Sequence, residues 1–202
     1  FVEGDTADLS KLVATLEEQR IEAVVHMAAF IQAGESMQEP SKYFRNNLGN
    51  GLTLLEAMRQ TGVNRLVFSS TAAVYGNPRS LPIRETDPLE PTNAYGASKL
   101  GVELALPWYA HAYGLRYATL RYFNAAGAHR HGGTLLGECH EPETHLIPLV
   151  LRAAAGRLPH VAIYGTDYPT PRWTAWTGAG SSTTSATAEV SRSARSSPPP
   201  SG

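Results

Sequence analysis

The chain has 202 residues, 42% of them hydrophobic, a formal net charge of −1 at pH 7 and one cysteine. That balance supplies a core for one domain or a domain and a half, and leaves no electrostatic footprint for nucleic acid or an anionic membrane. No apolar run approaches the roughly 20 residues of a membrane span, and Cys139 has no partner for an internal disulfide, so a reducing, cytoplasmic setting is expected.

In chain order, residues 1–5 (FVEGD) read as the end of a strand. Residues 7–19 carry apolar positions at helical spacing after a cap at Asp5 or Thr6. Residues 22–29 (EAVVHMAA) read as a buried strand running into a loop of small residues. A long helix is predicted over 40–62, with Pro40 near its start, Gly62 at its end and a core stripe of Leu52, Leu55 and Met58. Asn46 and Asn47 are unusual inside it, because asparagine is a poor helix-interior residue; one of them is expected to face inward. A strand follows at 65–71 (RLVFSST), then a helix at 94–114 that Pro107 is expected to kink. A strand at 116–124, a helix at 145–156 and a last strand at 160–165 complete the folded part. From residue 172 the composition turns to Ser, Thr, Ala and Pro, which cannot bury enough apolar surface to offset its ordering entropy. Residues 172–202 are therefore expected to be a disordered tail or out-of-frame translation.

Strands alternating with helices imply crossover connections, a parallel sheet and a doubly wound α/β domain. Ligands of such sheets bind beyond the carboxyl ends of the strands. The polar residues cluster at those ends: Asp5, residues 26–30, Ser69 to Thr71, and Asn124. The G-x-G-x-x-G of a dinucleotide site is absent, so the first units of the fold are expected upstream of Phe1.

Tyr95 and Lys99 lie four residues apart in TNAYGASKLGVE, on one face of the predicted helix. A free phenol has a pKa near 10, and a neighbouring ammonium favours its phenolate. A lone Y-x-x-x-K arises by chance in many helices, but this one follows FSSTAAVYG at a strand end, where Ser69, Ser70 or Thr71 offers a hydroxyl. An acid–base pair is the sharper reading; a solvated helix face is the plain one.

With VVHMAAFIQAGESMQEPSKYFRNN, LVFSSTAAVYG, AYGASKLGVE, LRYFNAAGAH, GECHEPETHLIPLVL and IYGTDYPTP, the chain resembles the extended short-chain dehydrogenase/reductases. Within them it is most similar to the UDP-hexose 4-epimerases of the NAD-dependent epimerase/dehydratase family. The resemblance implies a Rossmann-like fold whose N-terminal units are missing, with an NAD-binding domain at 1–122 and part of a nucleotide-sugar lobe at 123–171. It implies inversion at C4 of a UDP-hexose through a 4-keto intermediate, as in UDP-galactose/UDP-glucose interconversion. Tyr95 would be the base, with Lys99 and Thr71 beside it as catalytic partners. Cofactor contacts would come from Asp5, Thr6, Met27, Ala28, Ala29, Phe30, Ile31, Asn46, Ser69, Tyr95, Lys99 and Phe123. Substrate contacts would come from Thr71, Tyr95, Asn124, His145, Leu146, Ala162, Ile163 and Tyr164. The resemblance also implies a homodimer and a role in galactose metabolism. The chain as given, without the glycine-rich turn and the arginines that clamp the substrate diphosphate, is expected not to turn over.

Other readings are weighed against this one. His129, His131, Cys139, His140 and His145 fit no zinc spacing, so no metal is expected. Sugar dehydration is disfavoured, because Ala72 and Ala73 stand where dehydratases carry an acid and a base. A decarboxylase, an epimerase of UDP-GlcNAc or UDP-xylose, and a non-catalytic binding remnant stay open.

Overall fold

The computed structural model describes residues 1–137 and 143–162. Residues 1–123 form one compact unit and the residues from 124 onward begin a second.

The first unit is built on a three-stranded parallel sheet in the order β1 (Val24–His26), β2 (Arg65–Thr71), β3 (Arg116–Tyr122). The register sets His26 beside Phe68 and Ser70 beside Arg121, so the carboxyl ends of the strands are neighbours. Residues 1–5 form no strand; Asp5 instead accepts from the Ala7 amide at 2.8 Å and opens a turn. The cap of α1 (Leu9–Glu18) is Asp8, whose carboxylate accepts from the Lys11 amide. Beyond β1 the chain makes a short helix, α2 (Ala33–Gln38), in a stretch to which the sequence pattern assigns no element.

The long helix is present but not uniform. It comprises α3 (Pro40–Tyr43), a π-helical segment (Phe44–Gly49) and α4 (Asn50–Thr61), which closes on Gly62 in the left-handed conformation. The buried stripe of α4 is Leu54, Leu55 and Met58, whereas Leu52 is exposed. These side chains pack with Leu16 of α1, Leu66 and Phe68 of β2, and Val102 and Leu106 of α5 (Ala94–Tyr113). Burying each large side chain contributes about 1.5–3 kcal/mol. The α4–α5 crossing is close because glycines face it from both helices: a Cβ on Gly51 would lie 2.9 Å from Val102, and one on Gly101 3.0 Å from Leu48. Helix α5 runs through Pro107 to Tyr113 without interruption.

The second unit holds a hairpin, β4 (His129–His131) and β5 (Thr134–Leu136), and α6 (Leu146–Ala154). Its two-residue loop is Gly132-Gly133, both with positive φ (55° and 85°), as a type I′ turn requires. Residues 160–162 form no strand, and residues 163–165 lie outside the described residues, as do Cys139, His140 and the 172–202 segment.

Candidate active site

The site is assembled by the start of α5 against the end of β2. Asn93 caps the helix, accepting from the Gly96 amide at 2.8 Å. Gly96 allows the approach: a Cβ there would lie 2.6 Å from the Ala73 carbonyl oxygen and 3.1 Å from Pro91. Tyr95, the residue before Gly96, is half-buried, its ring edge-on to that of Tyr43 at 6.5 Å.

One turn on, Lys99 is only 3% exposed. Its Nζ donates to the Ser69 carbonyl at 2.7 Å and lies 4.9 Å from the centre of the Phe68 ring. Burial pulls its pKa down from 10.5 to about 8. His26, also buried, stacks on Phe68 at 5.8 Å between ring centres. Burial first, and the Lys99 charge second, lower the His26 pKa to about 4, so it is neutral across the physiological range.

Thr71 ends β2 and is buried; its Oγ1 accepts from the Ala73 amide at 3.1 Å, capping the 3-10 turn Ala72–Tyr75. A hydroxyl that accepts in this way keeps its proton to donate. Ser69 lends its carbonyl to Lys99. Met27, Phe30, Ile31 and Phe123 are exposed large apolar residues at or just beyond the carboxyl ends of β1 and β3. Ala28 is exposed and Ala29 half-buried in the same stretch, and Asp5 and Thr6 lie in the turn before α1. Asp5 is 3.5 Å from the Asn50 side chain.

The inward-facing asparagine is Asn47, not Asn46. Asn47 is buried; its Oδ1 accepts from the Phe30 amide at 2.9 Å, and its Nδ2 donates to the Phe30 carbonyl at 3.0 Å and to Ser98 Oγ at 3.1 Å. Ser98 in turn donates to the Tyr95 carbonyl. One amide thus ties the loop after β1 to the helix carrying Tyr95 and Lys99. Asn46 is half-buried and donates to Asn47 Oδ1. Sequence reasoning also missed the half-buried pair of Glu103 and Arg121, whose only local signal was a glutamate one turn beyond Lys99.

In the second unit Asn124 is exposed, His145 precedes α6 with its Nδ1 2.9 Å from Glu143, Leu146 is exposed on α6, and Ala162 is exposed. Ile163 and Tyr164 lie outside the described residues. No group of three or more potential metal ligands occurs among the described residues.

Comparison with known proteins places this arrangement. Residues 1–174 match the NAD dependent epimerase/dehydratase family. The chain belongs to that family. A UDP-glucose 4-epimerase of Streptomyces lividans is 55% identical over 172 residues, which are 85% of this chain and 51% of the relative. One of Lacticaseibacillus casei is 51% identical over 170 residues, 84% of this chain and 51% of the relative. Among solved structures, UDP-glucose 4-epimerase from Brucella ovis in complex with NAD superposes with a TM-score of 0.79 at 52% identity, over 85% of this chain and 52% of that one. The enzyme from Stenotrophomonas maltophila, with bound NAD and formylated UDP-arabinopyranose, gives a TM-score of 0.76 at 42% identity, over 84% of this chain and 51% of that one. The chain spans about half the length of the curated relatives it matches. Its parallel sheet with flanking helices is part of the Rossmann-like fold of these family members.

Proposed function

We propose that the protein carrying this chain is a UDP-hexose 4-epimerase that interconverts UDP-galactose and UDP-glucose with NAD as its resident cofactor. One observation carries the reading: a phenol and a buried ammonium, Tyr95 and Lys99, lie one helical turn apart where α5 meets the end of β2. The relatives' names support the same substrate class.

The residues present fit the cofactor. An ammonium has three donors, and among the described residues Lys99 spends one of them, on the Ser69 carbonyl. The other two suit the hydroxyls of a ribose. Exposed Met27, Phe30, Ile31 and Phe123 offer apolar contact to a flat ring at the strand ends. Asp5 and Thr6 suit the adenine end, with Ala28, Ala29, Asn46 and Ser69 along the way. When bound, NAD supplies a reversible acceptor for the hydrogen on C4 of the sugar.

The chain's own groups manage the proton. Tyr95 Oη removes it from the sugar O4 as C4 is oxidised, and returns it when C4 is reduced. The Lys99 ammonium lowers the cost of the phenolate by its charge. Thr71 Oγ1 donates to the sugar oxygen and holds it against Tyr95. Inversion follows when the 4-keto sugar presents its other face before reduction. Asn124, His145, Leu146, Ala162, Ile163 and Tyr164 are proposed contacts for the nucleotide sugar, making 123–171 its lobe and 1–122 the cofactor domain. Ala72 and Ala73 hold no ionisable group, which disfavours dehydration.

A cytoplasmic role in galactose metabolism is part of this proposal. So is a homodimer through α4 and α5, supported by exposed Leu52, Leu104 and Trp108. The test is conversion of UDP-galactose to UDP-glucose by the full-length protein. Tyr95→Phe should lower kcat about a hundred- to ten-thousand-fold with an unchanged circular dichroism spectrum. Absence of conversion by the wild type, or full activity in the variant, refutes the assignment.

A further inference from the structure

Behind the proposed acid–base pair lies a second charged group that the chemistry above does not use. Tyr95, Lys99 and Glu103 follow one another at four-residue intervals on α5, so they share a face. Lys99 holds the backbone of Ser69, and Glu103 holds the side chain of the next residue: Ser70 Oγ donates to Glu103 Oε1. Arg121, the β3 neighbour of Ser70, closes on the same carboxylate. Its Nη2 donates to Oε2 at 2.6 Å and its Nε at 3.1 Å. Its Nη1 donates to the Tyr75 hydroxyl at 2.8 Å, and the guanidinium lies 4.9 Å from that ring's centre. The side chains are 8% (Glu103) and 21% (Arg121) exposed.

We propose that Glu103 and Arg121 are positioning residues for the 4-epimerase reaction, setting the register of Tyr95 against Thr71. This rests on the function proposed above. It follows from what the pair joins: β2 at the residue before Thr71, the turn after it through Tyr75, the helix one turn past Lys99, and β3 two residues before Phe123. A shift of the carboxylate moves all four. A misplacement of about 1 Å at reacting groups costs on the order of a hundred-fold in rate.

The test is made on the full-length protein by steady-state kinetics, with folding followed by urea unfolding. Arg121→Met should lower kcat about ten- to a hundred-fold with the KM for UDP-galactose nearly unchanged. Arg121→Lys, which keeps a donor to the Glu103 carboxylate, should recover part of that loss. Should Arg121→Met not fold, Glu103→Gln, which keeps a partner for Ser70, decides by the same split of kcat against KM. Variants that lose stability but keep the wild-type kcat overturn the proposal, leaving the pair a brace of the fold. Full activity in Tyr95→Phe would instead sink the base assignment, and the two failures are thereby distinct.

Discussion

Lys99→Met should make the protein more stable while abolishing its activity. Burial lowers the Lys99 pKa from 10.5 to about 8. A shift of that size means that holding the charged form in the folded state costs roughly 3 kcal/mol at neutral pH. The side chain is almost wholly buried, so solvent screening does not reduce that figure. Methionine removes the cost but also the hydrogen bond to the Ser69 carbonyl, worth about 1 kcal/mol. The net gain is about 2 kcal/mol near pH 7. Its pH dependence follows from the proton count. Between pH 8 and 10.5 the unfolded lysine holds a proton that the folded one has released, so wild-type stability rises with pH across that window. The advantage of the variant should therefore shrink to near zero by about pH 9.5. Urea unfolding followed by circular dichroism, without added nucleotide, at both pH values measures this. A variant less stable than wild type at pH 7, or a difference that does not change with pH, refutes the reasoning that the ammonium is held there at a cost.

Two further outcomes are expected. The folded pKa of His26 is about 4 against an ordinary value of 6.5, so the unfolded state takes up the proton first as pH falls. Stability should drop between those values by roughly 3 kcal/mol; His26→Phe should flatten that part of the urea-midpoint profile, and an unchanged profile would show that the drop arises elsewhere. Gly96→Ala should cost about 1–3 kcal/mol and depress kcat, because its Cβ meets the Ala73 carbonyl at 2.6 Å and must push the Tyr95 turn from β2; wild-type stability and rate in this variant would mean that the approach is not needed.

Legibility in the sequence divided by distance along the chain. The helix carrying Tyr95 and Lys99 was readable because its spacing and the Gly114 stop lie within one segment. The alternation of strands and helices was readable for the same reason, since each element's period is local. The 160–165 and 1–5 strands were read from short runs without a period long enough to decide, and neither forms among the described residues. The Gly132-Gly133 hairpin had its turn signal in view, but three-residue strands are too short to show alternation.

What local pattern could not supply was which side chains meet. Choosing between Asn46 and Asn47 needs the phase of a helix, and the π-helical turn at Phe44–Gly49 shifts that phase by a residue where a regular period would be assumed. Glu103 and Arg121 are 18 residues apart and on different elements, and they became a pair only when β3 was laid beside β2. The state of Lys99 shows the division most plainly. Its position one turn after Tyr95 follows from counting residues, but its low pKa comes from the removal of water by β1, β2 and α5 together. Spacing along one helix is a property of one segment. Desolvation belongs to every element that closes over the group, and so it exists only once the chain has folded.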